Sequence, residues 1–77
     1  MPKNWLKFSY GVWINGVEWQ EEGEVYLDPA AIQAVESISN KFPSAYGSII
    51  YTANGKHYAV KDSTKSVIAE IQSALAN

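Results

Sequence analysis

Ser48-Ile49-Ile50-Tyr51-Thr52-Ala53-Asn54-Gly55-Lys56-His57-Tyr58-Ala59-Val60 decides the fold. Two runs rich in β-branched and aromatic side chains flank Asn54-Gly55, the dipeptide that best tolerates the positive φ of a type I′ turn, so the stretch reads as a β-hairpin. A two-residue loop predicts Ala53 opposite Lys56, Thr52 opposite His57, Tyr51 opposite Tyr58, Ile50 opposite Ala59 and Ile49 opposite Val60. One face then carries Ile49, Tyr51, Tyr58 and Val60, and Ile50 and His57 point the other way. Downstream, Asp62 and Ser63 are good N-cap residues. Val67, Ile68, Ile71, Ala74 and Leu75 recur at helical spacing, which predicts a helix from about Thr64 to about Ala76. Its apolar stripe must be buried, with Ile71 expected against Tyr51 or Tyr58 on the hairpin face.

Working back towards the N-terminus, Trp5 to Ile14 alternates and is followed by a second Asn-Gly pair, Asn15-Gly16. A second hairpin is predicted, with Ile14 opposite Val17, Trp13 opposite Glu18 and Val12 opposite Trp19. Leu6, Phe8, Tyr10, Val12, Ile14, Val17 and Trp19 then face the core, and Trp5 and Trp13 face outward. Glu21-Glu22-Gly23 ends the strand in a turn or bulge. Glu24 to Leu27 reads as a short third strand, with Val25 and Leu27 inward and Tyr26 outward. Asp28-Pro29-Ala30-Ala31 starts a helical turn, Asp28 as N-cap and Pro29 in first position. Residues 33–38 remain open between helix and strand, because Ile32, Val35 and Ile38 fit one period and Ala34, Glu36 and Ile38 the other. The reading adopted is a helical turn at Pro29 to Ile32, then a strand at Gln33 to Ile38. Asn40 to Gly47 is the longest loop. The expected fold class is α+β: a single domain over residues 1–77, with an antiparallel sheet of five or six strands built from two Asn-Gly hairpins and one C-terminal helix packed on one face.

A chain of 77 residues buries only about 60% of the surface that its unfolded form exposes, so its core is marginal. No cysteine is present to reinforce it by a disulfide or a zinc site, which leaves self-association as the remaining route and makes a homo-oligomer expected. No apolar run reaches the length of a membrane span, and Met1-Pro2-Lys3-Asn4 lacks a signal-peptide core; a cytoplasmic protein is the expectation. Net charge is −2, and all six basic residues are lysines, scattered along the chain. Without arginine forks for phosphates and guanine edges, nucleic acid is not expected as a partner. Acid does cluster, at Glu18, Glu21, Glu22, Glu24 and Asp28. This reads as a solvated edge, because the spaced pattern of a calcium loop is missing.

No catalytic residue, metal ligand or cofactor is assigned. His57 is the only histidine and has no nucleophile or orienting carboxylate fixed beside it by sequence. The glycines occur singly, at turns or within a strand, and form no phosphate-binding loop; the serines occupy no nucleophile elbow. The aromatic residues are more informative. Outward-facing Trp5, Trp13 and Tyr26, joined by Ile50 and His57, form the expected partner-binding set, because tryptophan and tyrosine are enriched at binding hot spots. Against this stands a second reading, in which the loop carrying Phe42 and Tyr46 folds back to cover them.

From Val25 onward the order of features resembles the small flagellar regulatory proteins of the FlbD/SwrD family. The matching residues are Val25-Tyr26-Leu27-Asp28, Ile32, Val35-Glu36, Ser48-Ile49-Ile50-Tyr51-Thr52, Asn54-Gly55-Lys56 and Tyr58-Ala59-Val60-Lys61-Asp62-Ser63 leading into Val67-Ile68. The resemblance spans roughly two thirds of the chain and implies a strand-turn-strand unit ending in a helix. It implies no catalytic residue. The N-terminal part is longer and more aromatic than the family's, and Asp62 stands where the family tends to have Glu. The expected function is non-enzymatic binding of a protein partner by a regulatory or inhibitory module. One alternative is a phage-encoded inhibitor of a bacterial defence system; another is an oligomer that holds a small ligand between subunits.

Overall fold

The computed structural model describes residues 5–43 and 45–76. Met1 to Asn4, including Lys3 and the start read as lacking a signal-peptide core, lie outside them, as do Ser44 and Asn77. Five strands, β1 Leu6–Ile14, β2 Glu18–Leu27, β3 Ile32–Ser37, β4 Ser48–Thr52 and β5 His57–Val60, precede the helix α1, Thr64–Ala76. They form one antiparallel sheet in the order β2-β1-β5-β4-β3. The helix packs on one face. Asp28 Oδ1 accepts from the Ala30 amide at 2.9 Å and starts the 3₁₀ turn Pro29–Ala31, after which β3 runs as a strand. Ser63 caps α1, its Oγ accepting from the Ser66 amide at 3.1 Å.

Both hairpins close through three residues, and both registers differ by one from the expected pairing. At the β4–β5 connection the Gly55 amide bonds to the Thr52 carbonyl (3.1 Å) and the Thr52 amide to the Lys56 carbonyl (2.9 Å). Gly55 has φ +87°, while Asn54 stays out of the left-handed region. This is a type I turn closed by a glycine bulge rather than type I′. Asn54 favours it locally, since its Oδ1 accepts from the Thr52 hydroxyl and the Lys56 amide. Tyr51 therefore pairs with His57, Ile50 with Tyr58, Ile49 with Ala59 and Ser48 with Val60. A slip of one residue exchanges the faces. Ile50, expected outside, is 0% exposed beneath the helix, and Ile49 and Tyr51 move to the opposite face.

In the first hairpin Asn15 and Gly16 are both left-handed (φ +54° and +73°), but Val17 remains in the loop, so Ile14 pairs with Glu18 and Trp13 with Trp19. The two indoles thus share a face and meet edge-on at 5.6 Å, which corrects the inward placement of Trp19. β2 does not end at Gly23. Tyr10 pairs with Gly23 and Gly11 with Glu21, so Glu22 is a bulge and the expected third strand is the continuation of β2.

Two apolar clusters sandwich the sheet. Between helix and sheet, Phe8, Leu27, Ile50 and Val60 pack with Val67 of the helix, flanked by Leu6, Tyr10, Tyr58 and the helix's Ile71; on the other side, Ile38, Ala45 and Ile49 pack with Trp13, Tyr51 and Ala59. Ile71 thus shares its cluster with Tyr58 and not with Tyr51. Val12, Ile14 and Val17, expected in the core, belong to neither cluster and are exposed. The buried Ser48 hydroxyl donates to the Asp62 carbonyl at 2.8 Å and lies 3.1 Å from the Thr64 hydroxyl, fastening the start of α1 to β4.

Candidate functional site

The sheet opens at Gly11. A Cβ there would lie 2.1 Å from the Gln20 carbonyl oxygen, so only glycine allows β2 to cross so closely at the bulge. The β1–β5 pairing consists of Tyr10 with Val60 and Gly11 with Ala59. Beyond it, Val12 to Ile14 have no β5 partner, and His57 and Tyr58 have no β1 partner.

The gap is a wide-mouthed cleft of about 950 Å³. Its walls are Gly11, Val12 and Trp13 on one side and His57, Tyr58 and Ala59 on the other; Tyr10, Tyr51 and Phe42 add rings, and Lys41, Lys56 and Glu22 add charge. The rings brace one another. Tyr10 meets Tyr58 at 5.5 Å, Trp13 meets Tyr46 at 5.0 Å, and Tyr51 lies 6.0 Å from His57. The Tyr51 hydroxyl donates to Glu36 Oε1 at 2.7 Å, and this bond to a carboxylate raises the phenol above its ordinary value of 10.0. Trp13 Nε1 is buried and has no hydrogen-bond partner among the described residues.

Of the five residues expected to bind a partner, the cleft unites Trp13 and His57. Trp13 is not an open anchor, because Tyr46 and Trp19 pack edge-on against it and leave it half-buried. The reading in which the loop folds back holds for Trp13. Ile50 is in the core. Trp5 and Tyr26 are exposed at 44% and 56%, but Trp5 is eight residues from Trp13 along β1, about 26 Å at strand rise. The Lys7–Glu24 ion pair (3.0 Å), in which hydrogen bonding to Glu24 raises the Lys7 ammonium, lies alongside Tyr26. No single outer patch joins the five.

The sequence reading missed Phe42, Lys41, Lys56 and Tyr58 as cleft residues. Gly11, a glycine inside an alternating strand, was the signal available for the opening. The acidic residues Glu18, Glu21, Glu22 and Glu24 line the edge strand β2, and among the described residues no group of three metal-ligating side chains comes together. Among the same residues no helix is long and apolar enough to cross a membrane. No family model, curated protein or solved structure matches the chain.

Proposed function

We propose that this chain is a small non-enzymatic binding module that acts through protein–protein interaction and docks its partner in the cleft between β1 and β5. The observation that carries this reading is the opened seam, which leaves main-chain edges free beside aromatic rings and two lysines. Such a combination suits recognition of another polypeptide, where backbone pairing supplies affinity and neighbouring pockets supply selectivity. For His57, among the described residues, the ring contact is Tyr51 and no carboxylate bonds to it, an arrangement suited to contact rather than proton transfer.

The test is capture of partners from host lysate by the full chain, followed by mass spectrometry, with two variants in parallel. Lys56→Glu/His57→Glu alters exposed cleft residues, and Trp5→Ala/Tyr26→Ala alters the distant exposed aromatics. A specific partner lost with the first and kept with the second is the expected result. The opposite pattern overturns the cleft as docking site and restores the Trp5–Tyr26 surface. Recovery of a defence nuclease identifies an inhibitor, and recovery of motor components identifies a flagellar regulator.

A further inference from the structure

We propose that the occupant of the cleft is an extended acidic segment of the partner, added as a short strand along the free edge of β1 at Val12 to Ile14. This rests on the cleft being the docking site and names what it takes.

Three observations converge. Beyond Gly11, Val12–Ile14 and His57–Tyr58 are paired with β2 and β4 on their outer sides but not with each other across the seam, and an extended chain is the ligand form that pairs with such an edge. A helix has already used its own backbone groups. Charge chooses among the edges available. The chain carries −2 overall, yet Lys41 and Lys56 line the cleft against one acid, Glu22. Of the two outer edges, β2 carries Glu18, Glu21 and Glu24 and β3 carries Glu36 and no lysine, so both disfavour an acidic strand and direct it to the cleft. Finally, Trp13, Phe42 and Tyr58 line the same cleft and offer aromatic contacts to the side chains of such a segment. On the face of the Ile38–Ala45–Ile49 cluster the segment's side chains meet Trp13, and on the helix face they meet Tyr58, with Lys41 and Lys56 in the walls of the cleft. The preferred segment combines acidic and apolar residues.

The test is NMR titration of the isotope-labelled full chain with a capped heptapeptide that alternates glutamate and valine around a central tyrosine. Two controls accompany it, the same peptide with lysine for glutamate and the same peptide N-methylated at alternate backbone nitrogens. The expected result is shifts at the Val12, Trp13 and Ile14 amides. Binding should be about tenfold weaker for each control and for acidic peptide on Lys41→Glu/Lys56→Glu. Equal binding of the lysine peptide, shifts mapping to β2 or β3, or no binding at millimolar peptide overturns the proposal. Concentration-dependent shifts at the same amides that added peptide does not displace would make a second copy the occupant, and also overturn it. If the peptide fails while partner capture still depends on Lys56 and His57, the occupant is wrong and the docking site stands. Capture indifferent to those residues removes the docking site itself.

Discussion

Ile50 is wholly shielded between the sheet and α1, so its truncation opens a cavity among Phe8, Leu27, Val60 and Val67. Ile50→Ala should cost about 3 kcal/mol, a large share of the stability of so small a domain, measured by chemical denaturation. A loss below about 1 kcal/mol would return Ile50 to the surface. Trp13 separates ring packing from its buried N–H. Removing the ring should cost about 3 kcal/mol in Trp13→Ala, because Tyr46, Trp19 and the Ile38–Ala45–Ile49 cluster lose their partner. Phenylalanine keeps an aromatic face and deletes a donor whose unpaired burial costs about 1–3 kcal/mol, so Trp13→Phe should remain within about 1 kcal/mol of the parent. If the two variants are equally destabilised, the indole nitrogen has a partner. Trp19→Ala should also destabilise, by less, since Trp19 meets Trp13 edge-on from the rim.

The β4–β5 turn and the β3–β4 pairing each depend on one identifiable device. A Cβ at Gly55 meets nothing within 4 Å, so the penalty of Gly55→Ala is conformational alone, about 1–2 kcal/mol for a left-handed φ of +87°. Gly55→Asn should cost less, as asparagine visits that region more readily. Equal stability of Gly55→Ala and parent in thermal melts would mean a turn of another type. Between strands, Tyr51 on β4 bonds Glu36 on β3, and the raised phenol means that the folded state holds its proton more tightly than the unfolded state does. The contribution is complete below the ordinary value of 10.0 and is lost as pH rises through the higher folded value. An ultraviolet phenolate titration should therefore contain one late tyrosine that Tyr51→Phe abolishes, and stability should fall less steeply with alkaline pH in that variant. A late component that survives Tyr51→Phe belongs elsewhere.

The molecule as a whole is elongated, 37 × 21 × 19 Å, and leaves Val12, Ile14 and Val17 exposed at one end of the β1–β2 hairpin. Its glutamate-rich β2 edge discourages edge-to-edge pairing, so self-association would have to use this apolar tip. We expect self-association at micromolar concentration in sedimentation, with Ile14→Lys/Val17→Lys shifting the chain to monomer while its far-ultraviolet circular dichroism is unchanged. A parent chain that sediments as monomer throughout that range removes the expectation.

Local chemistry was sufficient for the kinds of elements and their order. Capping by Asp28 and Ser63, proline at the first turn position, and 3.6-residue spacing at Val67 and Ile71 are relations among neighbours, so the turn at Pro29 and the helix from Thr64 to Ala76 were readable from the chain, whereas residues 33–38 fitted two periods and pairing with β4 made them a strand. Asn-Gly marks a hairpin but is compatible with loops of two or three residues, and one residue decides which side chains meet the core. Only packing chose: the adopted registers place Ile50 under the helix and gather Trp13 and Trp19 on one face. The cleft is a further step from sequence. It exists because β1 leaves β5 at Gly11 under the close crossing of Gln20, and because Phe42 and Tyr46 come from a distant loop to meet the hairpin, Phe42 against Gly16 and Tyr46 against Trp13. Contacts between residues so far apart in the chain leave no periodicity behind, which is why tertiary structure alone revealed the cleft.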